Sequence, residues 1–85
     1  MPSSHQPCDL PSTPVRLESP PEIGNLVRLV RKSYGMTQSE LAGSSGVGLR
    51  FVVDLEKGKP TCEVGKVLHV LKMLGIAIVA TPPAT

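Results

Sequence analysis

Residues 37–56, TQSELAGSSGVGLRFVVDLE, constrain the fold of this chain more than any other stretch, because they read as two short helices joined by a tight turn. Thr37 stands where a helix N-cap belongs. Glu40, three residues on, is placed to bond back to the Thr37 amide, which completes a capping box. Met36 and Leu41 occupy the two positions of a hydrophobic staple. The first helix has to stop near Gly43, since Gly43-Ser44-Ser45-Gly46 favours turns and Gly46 can take the left-handed conformation that closes one. Beyond Val47, the residues Phe51, Val52 and Leu55 give the second helix a core face. Ala42, small and ten residues before Val52, allows the two helices to approach closely and cross steeply through a turn of about three to four residues.

The flanking segments read as support for this pair. Ser19-Pro20-Pro21-Glu22 starts a helix, with Ser19 as cap, Pro20 at the first helical position and Glu22 completing a second capping box. The stripe Ile23, Leu26, Val27, Val30 and Tyr34 faces the core, and Gly35 ends the helix. Arg28, Arg31 and Lys32 fall elsewhere on it. After Gly58, Thr61 can cap a last helix that presents Val64, Val67, Leu68, Leu71 and Leu74, with Gly75 as stop. Val70 and Met73 lie off that stripe; they are either scattered surface apolars or an apolar face shared with a second chain. Residues 76–80, IAIVA, form a β-branched apolar run ended by Pro82-Pro83, and residues 15–18 alternate apolar and polar, which permits a short strand. A lone strand leaves its backbone groups unpaired, so Ile76, Ala77, Ile78 and Val79 are expected to pair with their own copies across a two-fold axis.

Bulk properties narrow the function. Eighty-five residues make one domain, and its ordered part, about 60 residues, gives a marginal monomeric core that a dimer would relieve. The expected division is a Pro/Ser-rich disordered tail over residues 1–18, a helical domain over 19–75, a dimerisation strand over 76–81 and a short tail over 82–85. Cys8 and Cys62 make no disulfide framework, nothing resembles a signal peptide, and no apolar run reaches membrane-spanning length, which together predict a cytoplasmic protein with free thiols. Charge is uneven: residues 1–22 carry Arg16 against Asp9, Glu18 and Glu22, a net −2, whereas residues 23–75 carry eight Lys/Arg against Glu40, Asp54, Glu56 and Glu63, a net +4. That favours a polyanion partner. His5 and Cys8 offer two ligands where a zinc site normally needs three or four, so no metal or other cofactor is expected. His69 has no orienting partner nearby in sequence. With no activated nucleophile and no phosphate loop either, the chain is not expected to be an enzyme.

The spacing of these features resembles the helix-turn-helix of the lambda-repressor/Cro-like (XRE) DNA-binding domains, and within them the HipB-like antitoxins. The resemblance rests on Ser19-Pro20, on LVR at 26–28 or 29–31, on GMTQSELA at 35–42 and on DLEKGKP at 54–60, and it covers about residues 15–80. It implies an all-α, lambda-repressor-like domain of four to five helices with a short C-terminal β-strand that pairs in a dimer. In such a fold the first helix of the pair crosses the DNA backbone and the second enters the major groove. By residue, the resemblance implies that Gln38 bonds a phosphate and that Leu49, Arg50, Val53 and Asp54 face bases behind a Gly48 cap. Lys57 and Lys59 contact the backbone, and Arg31 pairs with Glu56 as a structural brace. Arg50 is the expected reader, because a guanidinium can pair bidentately with guanine O6 and N7; Leu49 and Val53 suit thymine methyls, and Asp54 can accept from cytosine N4. Gly48 replaces the Ser or Thr of many relatives, and Leu49 and Val53 replace polar residues, so this reading head is poor in donors.

The resemblance further implies a homodimeric repressor that binds a palindromic operator in its own promoter and grips a HipA-like kinase toxin. Two alternatives stay open: a stand-alone autoregulator of prophage or restriction-modification type, and a protein-interaction adaptor that has lost specific DNA reading. With no second domain, a small-molecule sensor is not expected.

Overall fold

The computed structural model describes residues 14–84; the expectations for residues 1–13, including those for His5 and Cys8, fall outside them. Four helices are present among the described residues: α1 (Pro20–Ser33), α2 (Gln38–Ser45), α3 (Leu49–Lys57) and α4 (Val64–Met73). The expected all-α helix-turn-helix architecture is therefore found, with four helices.

The α2–turn–α3 unit follows the local chemistry closely. The Thr37 hydroxyl accepts from the Glu40 amide at 3.0 Å while the Thr37 amide donates to Glu40 Oε1 at 2.8 Å, a complete capping box. Gly46 closes α2 at φ 69°, and Gly48, with an extended backbone, stands before α3 and offers no side-chain cap. Leu41, Ala42, Val52 and Leu55 are buried and join Val27 and Val30 of α1 in one core, with Met36 and Phe51 packed against it. The Lys66 ammonium lies 5.9 Å from the centre of the Phe51 ring, covering it from the α4 side. The core also holds an unsatisfied group: Ser45 is buried and its hydroxyl has no hydrogen-bond partner.

Several expectations need correction. The Ser19 hydroxyl makes no cap bond. Pro20 and Pro21 have no N–H to offer, and the Glu22 amide goes to the Ser19 carbonyl at 3.1 Å. The Glu22 carboxylate accepts instead from the Glu18 amide. Tyr34 is exposed rather than part of the core stripe, and its hydroxyl donates to the Leu74 carbonyl at 3.0 Å, tying the end of α1 to the end of α4. α4 starts at Val64 behind Glu63 rather than behind Thr61.

The largest correction concerns the face of α4. Val70, expected off the core stripe with Met73, is 0% exposed, and the buried set is Val67, Val70, Leu71 and Leu74. Those spacings of three, four and seven fit a helical stripe as well as the expected one does. Packing against α2 selects the former. Val64 and Leu68 consequently face outward, as Met73 does. Residues 76–84 and 14–18 form no strand in this single chain. Ile76 packs against the core and its amide donates to the Leu71 carbonyl at 2.9 Å, whereas Ile78 and Val79 are exposed. No described helix is long and apolar enough to cross a membrane.

Candidate nucleic-acid interface

The outward face of α3 is held in place from behind by a buried ion pair. Arg31, on α1, reaches Glu56 near the end of α3 through two parallel bonds, Nε to Oε2 at 2.7 Å and Nη2 to Oε1 at 3.0 Å. Its third nitrogen, Nη1, donates to the Met36 carbonyl at 2.7 Å. Both side chains are almost wholly buried, and a bidentate geometry with every charge hydrogen-bonded is what such burial requires. Gln38 joins the same cluster: its Nε2 donates to Glu56 Oε1 at 3.1 Å. One glutamate thus ties α1, α2 and α3 together.

Gly24 makes this close approach possible. A Cβ there would lie 2.4 Å from the Leu55 carbonyl oxygen and 2.7 Å from that of Glu56, so only a glycine lets α1 meet the backbone at the end of α3. Sequence reasoning passed over this position. A glycine inside an otherwise amphipathic helix is the signal that could have marked it.

Arg28, Lys32 and Lys57 surround a cleft that Arg31, Gln38, Val53 and Glu56 also line. Since Arg31 and Glu56 neutralise one another, the cleft keeps a surplus of positive charge beside the start of α2, whose partial charge also favours an anion. Gln38 was expected to donate to a phosphate. One of its two amide hydrogens is committed to Glu56, and its side chain lines the cleft. Arg28 and Lys32 belong to the same surface, although sequence reasoning assigned them no role. Their spacing of four residues beside the core stripe is the signal for a shared basic face.

Beyond the cleft, α3 presents the expected base-facing residues. Leu49 is half-exposed at the start of the helix behind the exposed Gly48, and the Arg50 side chain is 83% exposed. Val53 is half-buried against the cleft. Asp54 is paired: its Oδ1 lies 3.4 Å from Arg50 Nε and its Oδ2 lies 3.6 Å from Lys59 Nζ. Lys59 is thereby drawn toward α3, while Lys57 lines the basic cleft. The described residues contain no cluster of three or more His, Cys, Asp or Glu arranged to hold a metal.

Comparison with known proteins places this geometry. No protein-family model matches the chain. Over 63 residues, 74% of this chain and 83% of the relative, it is 60% identical to an uncharacterized HTH-type transcriptional regulator, y4mF, of Sinorhizobium fredii. That relative is a regulator, in agreement with the expectation of a non-enzyme. Among solved structures, a complex of a HipB variant with an O2 20mer superposes with a TM-score of 0.74 at 22% identity, covering 85% of this chain and all of that one. A HipA–HipB–O2–O3 complex superposes with a TM-score of 0.73 at 24% identity, covering 82% of this chain and 99% of that one. The chain belongs to the helix-turn-helix-type transcriptional regulators and has the fold of the HipB-like, lambda-repressor/Cro class.

Proposed function

We propose that this regulator is a sequence-specific, homodimeric DNA-binding repressor that sits on a palindromic operator in its own promoter. The observation that carries the reading is the outward face of α3. Arg50 stands free of the core there, with Leu49 and Val53 beside it, on a helix that the Arg31–Glu56 pair holds against α1. A rigidly held helix with an exposed guanidinium suits entry into the major groove, and the cleft of Arg28, Lys32 and Lys57 suits the flanking phosphates. Second copies would meet through the outward apolar side chains of Leu68, Met73, Ile78 and Val79, with residues 76–81 pairing across the two-fold axis. The repressor works in the cytoplasm, on the nucleoid when bound to its operator.

The same reading makes the chain the antitoxin of a HipBA-like pair, with a HipA-like kinase toxin as its second partner. Support comes from the likeness to HipB, which is solved together with HipA. An adjacent reading frame without such a kinase would replace this part of the reading with a stand-alone autoregulator.

The test is the affinity of the full chain for the duplex upstream of its own gene against a shuffled duplex, at two salt concentrations. A specific repressor binds the native duplex at least about 1,000-fold more tightly. It also loses affinity steeply with salt on both duplexes, because bound phosphates release counterions. Equal, weak binding to both would leave a protein whose partner is another protein.

A further inference from the structure

Asp54 is the one acid on the outward reading face of α3, where a carboxylate works against a polyanion. The family resemblance implies a direct contact for it, accepting from cytosine N4. Its geometry fits a different task. The side chain is only 18% exposed, and its two oxygens face two cations, Oδ1 the Arg50 Nε at 3.4 Å and Oδ2 the Lys59 Nζ at 3.6 Å. Lys59 is itself anchored, since its amide donates to the Asp54 carbonyl at 3.0 Å. Neither carboxylate oxygen is left turned to the groove without a partner.

The nitrogen that Asp54 engages matters. An arginine that meets guanine end-on donates its Nη1 and Nη2 to O6 and N7, and leaves Nε unused. Arg50 is 83% exposed on a long stem, so an unsupported guanidinium would sample many rotamers and lose that freedom on binding. A carboxylate one helical turn on, whose attraction reaches the guanidinium on its Nε side at 3.4 Å, biases the stem while leaving the two base-reading nitrogens free. Lys59 on the other oxygen offsets the charge that would repel the DNA backbone.

We infer that Asp54 is a positioning residue for DNA reading: it orients Arg50 through Nε for end-on pairing with a guanine, with Lys59 fixing and neutralising the carboxylate. This rests on the reading of α3 as the major-groove helix and of Arg50 as its reader. A pair whose arginine is 83% exposed contributes little to folding, so its effect belongs in discrimination between sequences rather than in stability.

The experiment uses the full-length wild type, Arg50→Ala, Asp54→Asn, Asp54→Ala and the double variant Arg50→Ala/Asp54→Ala. Each is titrated, at one salt concentration, with the duplex upstream of the gene and with versions in which each G·C pair is changed in turn to A·T. Thermal melting of each protein confirms that all five are folded. Wild type should lose roughly 5- to 150-fold in affinity at one guanine of each half-site, and Arg50→Ala should abolish that loss. Asp54→Ala should shrink the same ratio by about fivefold or more, and Asp54→Asn, which keeps the shape of the side chain but not the charge that attracts Arg50, should shrink it too. In the Arg50→Ala background, Asp54→Ala should leave every ratio unchanged.

Three results would overturn the inference, each in its own way. If Asp54→Ala keeps the guanine ratio and binds all duplexes more tightly, Asp54 is only a repelling charge. If its loss of discrimination persists without Arg50, it touches a base directly. If Arg50→Ala itself leaves all ratios intact, Arg50 is not the reader, and the assignment of its orienting partner falls with it.

Discussion

At the scale of single residues, Glu56 is the centre of the molecule, because it accepts from Arg31 on α1 and from Gln38 on α2 while standing on α3 itself. Buried charges of this kind stabilise less as a pair than they cost when broken, since a lone charge left in the core has nothing to solvate it. Glu56→Ala should therefore destabilise the fold by about 3–5 kcal/mol in chemical denaturation, whereas Arg31→Met combined with Glu56→Leu should cost clearly less than Glu56→Ala alone. A double variant as damaged as the single would mean that the pair's own attraction, rather than the stranded arginine, accounts for the loss.

At the scale of elements, the α2–turn–α3 unit is held at its start by Thr37 and at its bend by Gly46. Thr37→Ala removes the hydroxyl that satisfies the Glu40 amide and should lower stability by roughly 1 kcal/mol in thermal or chemical unfolding. An unchanged stability would show the cap to be redundant. These features were legible because each rests on residues a few positions apart, whose propensities point one way. The face of α4 was not. Apolar residues at 64, 67, 68, 70, 71, 73 and 74 satisfy more than one helical stripe, and only packing against α2 selects Val70 for the core. The role of Gly24 was hidden for a related reason, since what excludes a side chain there is the backbone at Leu55 and Glu56, some thirty residues away. On the candidate interface, the identities of Arg50 and Lys57 were readable from their place on α3. The diversion of Asp54 to Arg50 and Lys59, and of a Gln38 hydrogen to Glu56, depends on side-chain geometry that spacing alone does not specify.

At the scale of the whole molecule, the four helices of the described residues converge on one small core, and their outer surface divides into two kinds. One side carries Arg50 and the cleft of Arg28, Lys32 and Lys57, suited to a polyanion. Elsewhere Leu68, Met73, Ile78 and Val79 are exposed, the side chains through which we propose a second copy docks. A repressor that doubles itself through the second surface would present two copies of α3 to one face of a duplex, spaced by about one helical turn. The most direct measurement of this account is guanine methylation interference on the duplex upstream of the gene. A methyl group at N7 lies in the major groove, where Arg50 would dock. The account predicts two clusters of interfering guanines, centred about 10 base pairs apart and both lost with Arg50→Ala. Binding that tolerates N7 methylation throughout would contradict it, because α3 would then not be in the major groove.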